Sequence, residues 1–407
     1  MSQIERLRAL LAELTPGNRF YSKRFAADGV DARAITSLEE FSRRVAFTHK
    51  QDLVADQAVH PPYGTNHSYP LERYTRFCQT SGTTARPLVI LDTPESWEWM
   101  LGNWATIYRA GGLVPGDRIY FAFSFGPFLG FWTAFDAAAR GGYLGIPGGG
   151  LGSAARVRAM IQHRATVLCC TPTYALHLAE AAAKEEIDLR EASVKKIIVA
   201  GETGGSVPEV RQRISIAWHG AVVLDHYGMT EVGPVAYQTP QRPDLLEIIG
   251  DSYFAEIVRP ESGEPVAPGE TGELVLTTLG RTACPLLRYR TGDLVRCASD
   301  VPGFALAGGI IGRADDMVVV RGVNLYPAAF DAAVRLVPEI EEYRVVISRR
   351  GALTEVEVQF ESADDTAAKK LERALSSTFS LRIPVTHVAA LTLPRFEMKA
   401  RRWIWRD

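Results

Sequence analysis

The stretch "ATVLCCTPTYALHLAEAAAKEEIDLREASVKKIIVAG", residues 165–201, decides the fold. It begins with an apolar run too short for a helix and breaks at Thr171 and Pro172. Apolar residues at helical spacing follow, and a second apolar run, "VKKIIVAG", closes it. Strand, helix, strand in that order is a βαβ unit, the connection two parallel strands need.

The pattern extends outward. "RIYFAFSF" (118–125) and "GGYLGIP" (141–147) read as strands, while "TPESWEWMLGNWATIYRAG" (93–111) and "FLGFWTAFDAAARG" (128–141) have helix-like composition. Together they predict an α/β protein with a largely parallel sheet, which binds ligands outside the carboxyl ends of its strands. Residues 1–60 read as polar helices, with Ile4, Leu7, Leu10, Leu11 and Leu14 on one face. "FAEIVRPESGEPVAPGETGELVLTTL" (254–279) changes character: two β-rich runs flank a Pro/Gly/Glu turn, predicting an antiparallel hairpin in a small β subdomain. After "GRADDMVVVRG" (312–322) come a helix, the strands "YRVVISRR" and "EVEVQFES", and a helix near 365–379, which make a small α+β unit.

The 407 residues are 46% hydrophobic and 23% charged, with a net charge of −2, as in ordinary globular proteins. That balance argues against nucleic acid as the main partner. Five cysteines, two of them the vicinal Cys169 and Cys170, form no spaced disulfide framework, so a reducing cytoplasm is expected. No CxxC or HExxH supports a structural or protease-type zinc site. The charged start "MSQIERLRALLAEL" reads as an amphipathic helix, not as a signal peptide, and no apolar run reaches 18 residues, so no membrane span is expected.

"QTSGTTARPLV" (79–89) offers hydroxyls and backbone donors at short spacing. Its composition suits an anion cradle and a solvated turn equally well, and it is no P-loop. "GGGLGSAARV" (148–157) fits a dinucleotide fingerprint on paper but lacks the later acidic residue, and reads as a strand-to-helix turn. "DHYGMTEVGP" (225–234) reads as a Gly-punctuated loop holding Asp225, Tyr227, Thr230 and Glu231; an aromatic there can stack on a base and a carboxylate can hold Mg²⁺. "LRYRTGDL" (287–294) places Asp293 in a turn after a strand, where it can accept from a diol or be a plain turn residue. "PRFEMKARR" (394–402) carries Lys399 in a basic stretch that by itself reads as a solvated tail.

In their order along the chain, "TSGTTARP", "YGMTE", "YRTGD", "GRADDMVVVRGVN" and the late lysine resemble the motifs of the adenylate-forming superfamily of acyl-CoA synthetases, adenylation domains and luciferases. "GELVLTTLGRTACPLLRYRTGDL" and "VRGVNLYP" are most similar to the phenylacetate-CoA ligase branch. The resemblance implies a large N-terminal domain, 1–313, and a small mobile C-terminal domain, 314–407. It implies that a carboxylate attacks the α-phosphate of ATP to give acyl-AMP, and that a thiol of coenzyme A then displaces AMP. Ser81, Gly82, Thr83 and Thr84 would hold the β- and γ-phosphates, Thr230 the α-phosphate, and Glu231 the Mg²⁺. Gly201, Glu202, Thr203, Asp225 and Tyr227 would frame adenine, with His226, Gly228 and Met229 on the same segment. Asp293, with Arg313 nearby, would bind the ribose, and Lys399 would bridge carboxylate and phosphate. Asp315 matches the hinge and Gly322 borders the CoA channel.

Phe123, Phe125, Gly126 and Phe128 correspond to the branch's aryl-binding segment, and flat apolar rings suit an aromatic acid such as a benzoate, anthranilate, hydroxybenzoate or phenylacetate. At least one of these phenylalanines is expected in the core. The chain departs from the pattern at Ala85 and Arg86 in the phosphate loop and at Met398 before the lysine, changes that remove no charged catalytic group. Rival readings are an aryl-adenylate ligase that loads a carrier protein, and a non-catalytic nucleotide-binding protein. The expected oligomeric state is monomer or homodimer.

Overall fold

The structure is a computed structural model that describes residues 1–80, 87–299, 301–314, 318–320, 323–325, 327–350, 353–396 and 402–406. Helices α1 (Gln3–Gly17), α2 (Arg19–Asp28), α3 (Leu38–Arg44) and α4 (Lys50–Val59) lead into an antiparallel pair, β1 (Arg76–Gln79) and β2 (Val89–Asp92). Ser2 and Glu5 close a capping box on α1, and Leu7, Leu10, Leu11 and Leu14 are its buried stripe.

Then α5 (Pro94–Ala110), β3 (Arg118–Phe121), α6 (Trp132–Arg140), β4 (Leu144–Pro147), α7 (Ser153–Gln162), β5 (Val167–Cys170), α8 (Pro172–Lys184), β6 (Lys196–Ala200) and α9 (Pro208–Ala217) alternate as expected. They are followed by β7 (Val222–Met229), β8 (Gly233–Thr239) and β9 (Arg242–Ile248). The hairpin is β10 (Tyr253–Val258) against β11 (Thr271–Thr278), extended by β12 (Tyr289–Arg296). β13 (Ala305–Ala307) returns to β9, and β14 (Gly312–Arg313) pairs with β12.

Among the described residues the main sheet runs β13-β9-β8-β7-β6-β5-β3-β4. Pairing is parallel from β4 through β7 and antiparallel beyond. β4 and β5 lie on opposite sides of β3, a topological switch point at whose carboxyl ends such sheets bind ligands. A second sheet, β10-β11-β12-β14, is the small β subdomain.

Past it come the pair β15 (Val318–Val320) and β16 (Val323–Leu325), α10 (Pro327–Arg335), β17 (Ile340–Arg350), β18 (Leu353–Ser362), α11 (Ala367–Phe379), β19 (Val385–His387) and β20 (Trp403–Arg406). The sheet β19-β18-β17-β20 and its two helices bury their own core around Phe330, Tyr343, Val358 and Leu371. Among the described residues no helix is long and apolar enough to cross a membrane.

Three local readings are corrected. β3 stops at Phe121, and 122–131 runs as a loop instead of continuing the strand, because the Phe123 N–H turns back onto the Phe121 carbonyl oxygen at 2.8 Å, a tight turn that takes the chain out of the sheet. Asp225 to Met229 lie in β7, not in a loop, and only Thr230, Glu231 and Val232 form the turn. Gly228 permits this, since a Cβ there would stand 2.8 Å from the Gly233 carbonyl oxygen of β8. Asp293 lies within β12, opposite Arg313, at a register shift that interrupts the ladder without ending it.

Candidate active site

Four parallel strands end side by side, and each delivers one part of the site. After β3 comes the Phe123–Phe128 loop, after β5 the start of α8, after β6 Gly201, Glu202 and Thr203, and after β7 Thr230 and Glu231. Residues distant in sequence therefore meet because the sheet places their strands next to one another.

The β subdomain supplies the opposite wall. Tyr227 donates its phenol to Asp293 Oδ2 at 2.6 Å, and Arg313 Nη1 lies 3.2 Å from Asp293 Oδ1. Burial, with Asp293 beside it, pushes the Tyr227 phenol well above its usual value, so it remains a protonated donor. The Glu231 carboxylate is buried, with Lys50 Nζ 3.1 Å from Oε1 and the Tyr289 phenol donating to the same oxygen at 3.4 Å. Beneath the turn, fully buried Arg281 donates from Nη1 to the carbonyls of Thr230 at 3.1 Å and Glu231 at 2.7 Å. Its other edge forms a fork with buried Asp92, at 2.7 and 2.5 Å.

On β7, Asp225 is buried and accepts the Ser206 hydroxyl at 2.5 Å. Gln238 accepts the Asp225 backbone N–H and donates onward to Ser206, so the pair also fixes the loop after β6. Burial pushes the Asp225 carboxyl up to about 7, and the Ser206 bond opposes that shift. Glu202 accepts the Thr173 backbone N–H at 2.7 Å and its hydroxyl, tying the same loop to the first turn of α8. Tyr227, Gly228, Met229 and Thr230 are half-buried along the open edge.

The loop after β3 is an aromatic cluster. Phe123 lies 6.0 Å from Phe125 and 5.4 Å from Phe128, centroid to centroid, nearly edge to face. All three rings are half-buried; Phe123 and Phe125 also pack against the main core, as expected of at least one of them. Gly126 accepts the Trp132 indole N–H at 2.9 Å, which pins the loop to α6.

The structure thus gathers Phe123, Phe125, Gly126, Phe128, Gly201, Glu202, Thr203, Asp225 through Glu231, Asp293 and Arg313 around the ends of these strands and the β subdomain. Ser81, Gly82, Thr83, Thr84, Asp315, Gly322 and Lys399, with Ala85, Arg86 and Met398, lie outside the described residues. Lys50, Tyr289, Arg281, Asp92, Ser206 and Gln238 escaped the sequence reading because each works through a contact made between distant segments. Asp92 and Arg281 left a signal, each a lone charge in a mainly apolar stretch.

Comparison with known proteins agrees with this arrangement. Residues 40–282 match the AMP-binding enzyme family and residues 322–406 the AMP-binding enzyme C-terminal domain. The chain is 32% identical to phenylacetate-coenzyme A ligase of Thermus thermophilus, over 89% of this chain and 81% of that one. It is 31% identical to the Escherichia coli phenylacetate-coenzyme A ligase, over 98% and 93%. Among solved structures, 2-hydroxyisobutyryl-CoA ligase in its postadenylation state with 2-HIB-AMP overlays with a TM-score of 0.94 at 30% identity, covering 99% of this chain and 89% of that one. The same ligase with 2-HIB-AMP and CoA in its thioesterification state overlays at only 0.75, at 31% identity over 99% and 88%. The chain belongs to the AMP-binding enzyme family and, within the adenylate-forming superfamily, to the phenylacetate-CoA ligase-like branch of AMP-forming acid–thiol ligases.

Proposed function

We propose that the chain activates an aromatic carboxylic acid with ATP and transfers the acyl group to coenzyme A. The observation that carries this reading is the aromatic loop of Phe123, Phe125 and Phe128 at the end of β3, on the same sheet edge as the Thr230–Glu231 turn. An aryl group seated on those rings would direct its carboxylate toward that turn.

In the first step a carboxylate oxygen attacks the α-phosphorus and pyrophosphate leaves. Two anions approach, so the site must supply donors and positive charge aimed at the transition state. Thr230 would donate to the α-phosphate, Lys50 would add positive charge beside it, and Arg281 holds the turn in place by its carbonyls. Tyr227 and Arg313 hold Asp293 ready to accept from the ribose hydroxyls. Ser81, Gly82, Thr83 and Thr84 are proposed for the outer phosphates and Lys399 for the bridging charge.

Among the described residues no cluster of three His, Cys, Asp or Glu forms a metal cage. One buried carboxylate, Glu231, fits Mg²⁺, which usually takes one or two carboxylates plus substrate phosphates. When bound there it would neutralise phosphate charge.

In the second step the CoA sulfur attacks the acyl carbonyl, AMP leaves and the thioester forms. The better overlay on the postadenylation state supports the present lobe arrangement as the one held once the adenylate has formed and before thioester formation. We place the lobe boundary at 313/314, with Asp315 as hinge and Gly322 at the CoA channel.

Pyrophosphate release over a panel of aryl acids, with and without CoA, tests the reading. ATP binding without pyrophosphate release for any acid would leave a binding protein only. Release that never yields a CoA thioester would point to a carrier-protein thiol.

A further inference from the structure

His226 sits on β7 between Asp225 and Tyr227 and is 5% exposed. Its Nδ1 is 2.9 Å from the Ala236 carbonyl oxygen. That oxygen can only accept, so Nδ1 carries the ring proton and Nε2 keeps a lone pair. Burial holds the ring neutral, with its pKa pulled down to about 4. Among the described residues Nε2 makes no hydrogen bond, and it faces Gly228, where a Cβ would stand 3.3 Å away.

The setting of that acceptor is aromatic. The imidazole lies 4.3 Å from the Trp104 ring, Trp104 is 6.1 Å from Phe131, and Phe131 is 5.3 Å from Phe123, centroid to centroid. A continuous run of rings therefore leads from the acid loop to His226. A resident water would need two or more polar partners there. The rings supply none, since the Trp104 N–H is engaged by Thr133 Oγ1 at 2.9 Å. A buried acceptor that lies against the half-buried Gly228, on the open edge of the site, needs a donor, and the substrate is what arrives.

We propose that His226 Nε2 accepts a hydrogen bond from a hydroxyl or amino group on the acid's ring, so that the enzyme selects hydroxy- or amino-substituted aryl acids. This rests on the aryl-acid reading above and narrows it. His226 is then a specificity-determining residue; it takes no part in the bonds made and broken at the carboxylate.

The test pairs each hydroxy- or amino-aryl acid with its unsubstituted parent and measures kcat/KM for pyrophosphate release. Wild type is expected to favour at least one donor-bearing acid over its parent by roughly tenfold or more. In His226→Leu that ratio should fall to about one. Parity in wild type, or a uniform loss across all acids in the variant, overturns the proposal. Should the variant not fold, calorimetry of wild type with matched aryl-sulfamoyl adenosines, with and without the ring hydroxyl, measures the same preference, and equal affinities overturn the proposal. Wild-type activity confined to short aliphatic acids would defeat the aryl reading itself, a result distinct from aryl acids used without preference.

Discussion

Lys50 Nζ lies 3.1 Å from Glu231 Oε1, joining the first turn of α4 to the turn between β7 and β8. The ammonium is 41% exposed and the carboxylate 7%, so the lysine reaches into the site from solvent. This cation is placed to compete with Mg²⁺ for Glu231 and to meet the nucleotide phosphates.

Lys50→Met should lower the rate of pyrophosphate release by about tenfold or more, as loss of a transition-state charge does. It should also lower the Mg²⁺ concentration needed for half-maximal rate. Stability should fall by about 1–3 kcal/mol in denaturant unfolding, because the buried Glu231 carboxylate loses its cation and keeps the Tyr289 hydroxyl at 3.4 Å. A Mg²⁺ titration unchanged from wild type would remove Lys50 from the site.

The Arg281–Asp92 fork makes a different prediction. Asp92→Ala leaves a fully buried guanidinium without its counterion, which typically costs about 3–5 kcal/mol. The double change Asp92→Leu with Arg281→Met should recover much of that stability in denaturant unfolding. Activity should stay low, because the Thr230 and Glu231 carbonyls lose their donor. Recovery of both together would show that Arg281 serves packing alone.

Asp225 and His226 are neighbours whose protonation affects stability in opposite senses. Asp225 binds its proton more tightly when folded, so its contribution is full below about pH 4 and is lost as pH rises toward about 7. His226 binds its proton less tightly when folded, so its contribution is full above about pH 6.5 and is lost as pH falls toward about 4. Between those limits the two slopes, each up to about 1.4 kcal/mol per pH unit, oppose one another. Removing one should expose the other. Relative to wild type, Asp225→Asn should gain stability from pH 4 to 6.5 in urea titrations, and a parallel pair of curves would contradict the assignment.

Gly130 borders the aromatic loop at φ +44°, and a Cβ there would stand 2.5 Å from the Phe123 ring and 3.2 Å from Phe128. Gly130→Ala should push those rings into the acid pocket. Overpacking of about 1–3 kcal/mol corresponds to roughly five- to hundredfold in affinity, so the acid KM should rise on that scale. ATP affinity should hold, and an equal rise in both KM values would place the pocket elsewhere.

The alternation in 118–201 was legible because period and turn chemistry are local, and it determined a helix-layered, largely parallel sheet. The order of short motifs likewise named Thr230, Glu231 and Asp293 before any contact was known. Sequence misjudged their local setting: Asp225 and Asp293 read as turn residues, since a polar Gly-containing run looks the same in a loop and in an interrupted strand. What Lys50, Arg281 and Gln238 do could not be read at all. Each acts by a hydrogen bond or ion pair whose partner is supplied by another strand or helix, and that pairing exists only once the sheet has ordered its strands. The same holds for His226. Its residue type was visible in the sequence, but only tertiary packing left the ring neutral and buried against Trp104, with one nitrogen facing Gly228.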